Sequence, residues 1–126
     1  MPRASIVAAT CRIGGMELLK MSVQAQKFRD FELVLVDRYY EQRRDILKDY
    51  FKDLGVEWYH MPPKIRTECI DSAHAFNTGI ARARGELLCL AGDYTYYPPD
   101  WIADHWKIFS ESEGGSTLVG TRKRVL

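Results

Sequence analysis

This sequence contains no apolar stretch long enough to span a bilayer, and it does not open on a charged segment followed by an apolar run. The expectation is therefore a soluble, cytoplasmic protein. Cysteine is scarce: Cys11, Cys69 and Cys89 make three, an odd number without the spacing of a metal site. That fits a reducing compartment, and Cys89, inside an apolar run, reads as a buried hydrophobe. The histidines His60, His74 and His105 show no ligand spacing among themselves, and His74 reads as a packing or surface residue of a helix. An excess of one charge is also lacking, since 18 Lys and Arg against 17 Asp and Glu leave a net of +1. That balance does not drive the chain toward nucleic acid or an anionic membrane. The clusters Arg43-Arg44 and Arg122-Lys123-Arg124 read as solvated faces.

Common signatures of phosphate loops and nucleophiles are missing as well. There is no G-x-G-x-x-G after the first strand and no G-x-x-x-x-G-K-[ST], which argues against dinucleotide oxidoreductases and P-loop nucleotide hydrolases. Gly14-Gly15 alone is too sparse to replace them. There is no G-x-S-x-G and no Cys with an evident His partner.

What is present is an ordinary globular composition, 46% hydrophobic and 28% charged, in 126 residues, enough for one domain with a real core. Strand and helix patterns alternate from start to end. Strands are expected at 5–9, 31–37, 56–61 and 86–91, and a last one at Thr117-Leu118-Val119. Helices are expected at 16–28, with Met16, Leu19 and Val23 facing inward, and at 41–54, with an inward stripe of Ile46, Leu47, Tyr50, Phe51 and Leu54. Gly55 is expected to cap that second helix. Two more are expected at 72–84 and from Pro98-Pro99-Asp100-Trp101 to Ser112. Such alternation with short connections implies one α/β domain with a mostly parallel sheet.

Two strands end in acids, Asp37 and Asp93, which a parallel sheet would bring to the same C-terminal edge, where open α/β folds bind their ligands. Carboxylates there commonly hold ribose hydroxyls or a divalent cation. Thr10 and Arg12 follow the first strand to that edge, where a guanidinium can fork onto phosphate oxygens. Arg66, with Lys64, is a second candidate for phosphate contact. The aromatic group Tyr94, Tyr96, Tyr97 and Trp101 reads equally as a stacking platform or as a cap on the core.

Four segments of the chain resemble the family 2 glycosyltransferases, inverting enzymes of the GT-A fold. Ala4 to Arg12 looks like that family's first strand and nucleotide-touching loop. Ser22-Val23-Gln24-Ala25-Gln26 through Phe31-Glu32-Leu33-Val34-Leu35-Val36-Asp37 is similar to its S-x-x-x-Q…E-I-I-V-V-D-D passage. Ala75-Phe76-Asn77-Thr78-Gly79-Ile80-Ala81 to Ala83-Arg84-Gly85-Glu86 resembles its A-x-N-x-G-I-x-x-A-x-G-E helix and turn. Asp93, followed by Pro99-Asp100-Trp101, stands where the D-x-D motif and the P-x-x-L after it would lie. The resemblance implies a GT-A-like, Rossmann-like sheet of four to five strands with helices on both faces. It also implies a nucleotide-diphosphate sugar donor, most often a uridine one (UDP). Asp37 would then contact the base, Asp93 would sit near ribose and diphosphate, and Thr10 and Arg12 would supply the first-loop contacts. A divalent ion, manganese or magnesium, would bridge the phosphates and offset leaving-group charge.

The chain departs from that pattern in three places. Asp37 is followed by Arg38 where the family has a second acid, and the D-x-D reads Asp93-Tyr94-Thr95, so a hydroxyl replaces the second metal-binding carboxylate. The metal is accordingly expected to bind weakly at Asp93, with Arg38 or Arg12 supplying part of its charge. No residue matches the family's general base, and residues 1–126 read as a single nucleotide-sugar-binding domain without the usual acceptor-binding half. A homodimer formed through an exposed sheet edge is one expectation from that reading. Two other functions stay open beside transfer of a sugar to an unknown acceptor: a non-catalytic nucleotide-sugar-binding or scaffold module, and a nucleic-acid-binding or nucleic-acid-modifying protein.

Overall fold

The computed structural model describes residues 1–66 and 72–112. Its centre is β1 (Ala4–Thr10), flanked by β2 (Phe31–Asp37) on one side and, on the other, by a strand at Leu87–Gly92. A strand at Trp58–Met61 lies outside β2. Numbered in chain order these two are β4 and β3, the sheet order is β3-β2-β1-β4, and all three pairings are parallel. β2 is buried along its whole length, as a central parallel strand covered on both faces should be.

Among the described residues three helices cover one face, α1 (Met16–Ala25), α2 (Tyr40–Tyr50) and α4 (Trp101–Glu111), and α3 (Ser72–Arg82) packs on the other. The main core forms between Ile6, Ala8, Leu33, Leu35 and Cys89 of the sheet and Leu19, Val23, Leu47, Phe51 and Ile102 from the helix side. Burial alone pushes the Cys89 thiol up to about 12, so it remains a protonated, inert hydrophobe. On the opposite face α3 lies close against β1 and β2 at Gly79, where an added Cβ would come 2.4 Å from Val7 Cγ1.

The expected element order holds, with shifted ends. α2 stops at Tyr50, and Phe51 and Leu54 are buried from the turn that follows it. Gly55 (φ 81°) therefore closes that turn rather than the helix itself. Ile46 does not belong to the inward stripe: it is 67% exposed, one residue and about 100° round the helix from buried Leu47. Its place on the inner line is taken by Arg43. β4 is less buried than its apolar sequence suggests. Leu88 and Leu90 are 38% and 51% exposed because they lie on α3's side of the sheet, and α3 packs over β1 and β2. The strand expected at Thr117-Leu118-Val119, like the Arg122-Lys123-Arg124 cluster, lies outside the described residues.

One buried acid fastens the lower edge of the sheet. Glu32 is fully buried, and its carboxylate accepts from Ser5 Oγ (2.8 Å), from the Arg84 backbone N–H (2.7 Å) and from Arg84 Nε and Nη2 (3.1 and 3.0 Å). Gly85 N–H donates to the same Ser5 hydroxyl at 2.9 Å, and a Cβ at Gly85 would fall 2.5 Å from the Ala4 carbonyl carbon. The acid of the F-E-L-V segment and the R-G-E turn thus meet in space. These motif residues secure the fold at the edge away from Asp93.

Candidate functional site

Parallel neighbours end on the same side, so Thr10, the last residue of β1, and Asp93, the first beyond β4, meet at one edge. Thr10 is buried, and its hydroxyl donates to Asp93 Oδ2 at 2.9 Å. Arg12 forks onto the same carboxylate, Nη2 to Oδ1 at 2.5 Å and Nε to Oδ2 at 3.3 Å. The acid lies inside and the cation outside: the side chains are 9% and 57% exposed. The hydrogen bond that Arg12 donates to Asp93 raises the Arg12 pKa above its already high ordinary value, and the group stays charged.

Tyr94 ties this loop to the one after β1. It is the one non-glycine residue with positive φ (56°) among those described, and its ring lies 4.3 Å from the Arg12 guanidinium. Beneath it run Gly14 and Gly15. A Cβ at Gly14 would stand 2.0 Å from the Tyr94 hydroxyl oxygen, and Gly15 (φ 90°) has Tyr94 ring and backbone atoms 2.9 Å from where its Cβ would be. The two glycines, too sparse for a phosphate loop, make room for an aromatic ring that joins two loops.

Asp37 stands on the same edge but does not face an open crevice. It is fully buried, and four donors occupy its carboxylate: Arg43 Nε (2.5 Å) and His60 Nε2 (2.8 Å) at Oδ2, Arg43 Nη2 (2.9 Å) and the Tyr39 N–H (2.8 Å) at Oδ1. With Nε2 donating, Nδ1 of His60 is left as an acceptor, buried and without a partner. Arg43 reaches further, to the carbonyls of Ile13 (2.6 Å) and Arg12 (3.0 Å) and to Thr10 Oγ1 (3.4 Å). It holds the Thr10–Arg12 loop against β2. Sequence reasoning missed this residue because Arg43-Arg44 looks like a solvated pair; the signal was its i−4 spacing from Leu47. Arg44, one position on, is exposed and paired with Asp45.

Burial by itself would push both Asp37 and Glu32 upward. The hydrogen bonds from His60, Arg43 and Tyr39 at Asp37, and from Arg84 and Ser5 at Glu32, outweigh it and hold both below the ordinary carboxylate range. The unfolded chain then binds protons more readily than the folded one at low pH. This stabilisation is complete above the ordinary range, about pH 4, and is lost as pH falls through the lower folded-state values. Thermal melts across pH should show a level midpoint down to about pH 5 and a drop below about pH 4. Asp37→Asn and Glu32→Gln should each shallow the drop; a midpoint already falling between neutrality and pH 5 would assign it to other groups.

The remaining candidates separate. Arg66 is exposed and paired with Glu41 of α2 at 2.6 Å, and the Lys64 backbone N–H donates to Thr78 Oγ1. The aromatic group divides in two. Tyr97 and Trp101 stack at 4.0 Å and cap the core, and the Tyr97 hydroxyl accepts from Gly92 N–H at 2.9 Å. Tyr94 and Tyr96 are 50% and 47% exposed. Asp100 starts α4 and pairs with Lys27 at 3.1 Å. The S-x-x-x-Q pair anchors the loop carrying Asp93: Ser22 Oγ accepts from Tyr97 N–H (2.9 Å), and Gln26, 2% exposed, bonds to Pro98 O (2.8 Å), Tyr97 O (3.3 Å) and Ile102 N–H (3.1 Å).

As arranged, these residues do not fit a divalent ion. Among the described residues no group of three His, Cys, Asp or Glu converges. Both Asp93 oxygens are engaged, and the Thr95 hydroxyl donates to the Asp93 backbone carbonyl at 3.3 Å. Nor is any helix among them long and apolar enough to cross a membrane.

A four-stranded parallel sheet between helices, with an acid and an arginine at the edge shared by β1 and β4, defines an α/β protein, a class whose open sheets bind ligands at that kind of edge. Residues 20–125 match the model of glycosyl transferase family 2, and the chain belongs to this family. The matched span begins inside α1, so Thr10 and Arg12 precede it. No curated protein sequence matches the chain.

Proposed function

We propose that the chain binds the diphosphate of a nucleotide-sugar donor at the edge between β1 and β4 and transfers the sugar to an acceptor. Family membership supports glycosyl transfer in general. The observation that carries the donor site is the convergence of Thr10, Arg12 and Asp93, held from behind by Arg43 and Asp37. Arg12 is the exposed cation on which phosphate oxygens would land. Asp93 fixes its direction, and Tyr94 and Tyr96 offer ring faces to the base or sugar. Asp37 serves the site as a positioning residue, since its buried carboxylate holds the Arg43 that carries the first loop. Arg66 contributes at the rim after leaving Glu41.

Calorimetry against a panel of nucleoside diphosphates, beginning with UDP, tests this reading. One of them is expected to bind, and Asp93→Ala is expected to weaken binding about tenfold and to remove turnover of the matching sugar donor. Failure of every nucleoside diphosphate to bind would overturn the donor site. A binding module without catalysis is the second reading, favoured by Thr95 in place of an acid and by Asp100 being paired with Lys27. Saturable binding without transfer or hydrolysis of the sugar would select it.

A further inference from the structure

Asp93 already holds a cation, and that cation belongs to the protein. We propose that Arg12 takes the place of a divalent ion beside Asp93, so that diphosphate binding by this chain is independent of metal. The inference rests on the donor-site reading above and specifies which group contacts the phosphates there.

The first support is occupancy. Arg12 covers both oxygens of Asp93, and Thr10 adds a third donor to Oδ2. With the acid 9% and the guanidinium 57% exposed, an ion arriving from solvent meets Arg12 before it meets a carboxylate. To bind, it would have to break a two-point, charge-assisted pair and then find its other ligands elsewhere. The structure offers it few: Thr95 is a neutral hydroxyl bonded to backbone, and no group of three His, Cys, Asp or Glu gathers at Asp93 among the described residues.

The second support is that Arg12 is positioned from three sides. Its backbone carbonyl accepts from Arg43 Nη2 at 3.0 Å, its backbone N–H points at Thr10 Oγ1 at 3.4 Å, and its guanidinium lies over Tyr94. The fork onto Asp93 uses Nε and Nη2, while Nη1 has no partner among the described residues. A guanidinium carries five N–H donors. The ones left over belong to a side chain that is more than half exposed, which suits the oxygens of a diphosphate. Asp93 and Arg12 together are neutral, so a bound diphosphate meets a fixed donor array rather than a net excess of positive charge.

The experiment has two arms. Calorimetric titration with UDP, or whichever nucleoside diphosphate the panel selects, is run in excess EDTA and in manganese. Separately, manganese alone is titrated into the protein and followed by its electron paramagnetic resonance signal. Wild type is expected to bind the nucleotide equally, within about twofold, in both buffers, and to leave the manganese signal that of the free ion. Arg12→Ala should lose about tenfold or more in EDTA and recover part of it with manganese, because the Asp93 oxygens are then released. Arg12→Lys keeps the charge but not the fork and should fall between them. Thermal melts should show both variants folded, with Arg12→Ala lowered because the nearly buried Asp93 carboxylate loses its counter-charge and Arg12→Lys closer to wild type. Wild-type binding that requires manganese would overturn this inference and leave the donor site standing. So would Arg12→Ala binding as tightly as wild type in EDTA. Failure of every nucleotide in either buffer overturns both.

Discussion

Arg43→Ala is expected to destabilise the protein by about 3–5 kcal/mol, a large part of a typical domain's total. Asp37 is fully buried, and the substitution removes two of its four hydrogen bonds together with its counter-charge. His60 and the Tyr39 N–H remain, which is too little for a desolvated carboxylate. The Ile13 and Arg12 carbonyls lose a donor at the same time, so the loop that carries Arg12 is released. Chemical denaturation should show the loss, and nucleotide binding should fall with it even below the unfolding midpoint. Arg44→Ala is the control: its neighbour is exposed, and an exposed pair with Asp45 contributes little. A double replacement of Asp37 and Arg43 by apolar residues of similar volume should recover stability but not binding, because the cost of the single change lies in the orphaned charge. Equal effects of Arg43→Ala and Arg44→Ala would refute the assignment.

Gln26→Ala should cost about 2–4 kcal/mol through unmade hydrogen bonds rather than lost packing. The Ile102 N–H at the start of α4 and the Tyr97 carbonyl lose their partner in one step, and the Pro98 carbonyl keeps only the Trp101 N–H. Four N–H groups at any helix start lack an intrahelical acceptor, and here the side chain of Gln26, the residue that caps the end of α1, supplies one. The diagnostic readout is local. Hydrogen exchange at Ile102 should be slow in wild type and fast in the variant, and nucleotide affinity should drop as the segment between Asp93 and α4 loosens. Gln26→Glu keeps the acceptor and loses the donor, so it should protect Ile102 while leaving the Tyr97 carbonyl unpaired and the Pro98 carbonyl with the Trp101 N–H alone. Unchanged exchange at Ile102 in Gln26→Ala would show that the loop is held by other contacts.

The strands and the acids at their ends were readable because their signals are local. Phe31–Asp37 is nearly continuous in apolar residues and ends at an acid, the pattern of a strand buried on both faces. Thr10, Arg12 and Asp93 followed from a topological rule, that parallel strands finish on one edge. Ile46 and Arg43 were misassigned for a shared reason: helix α2 is short and polar, and its rotation against the sheet is set by Asp37, which offers a buried partner to a guanidinium. The i−4 spacing of Arg43 from Leu47 fits that rotation, but periodicity within residues 40–50 does not select it over a stripe through Ile46. The Gly14-Gly15 pair was equally opaque, because its purpose is the space taken by a tyrosine 80 and 79 residues further on.

Pattern along the chain therefore suffices for the α/β class, the order of the described elements and the edge that Thr10, Arg12 and Asp93 share, since hydrophobic period and turn chemistry act over a few residues. Which charges are spent inside the fold and which face a ligand is settled by contacts between distant segments. Asp37 and Asp93 look alike in sequence, each an acid closing a strand. Burial and four donors make the first a structural anchor, while the second lies beneath an exposed arginine at the edge where a ligand would arrive. Desolvation and hydrogen bonding separate them, and both arise only when the sheet, the helix α2 and the two loops are assembled.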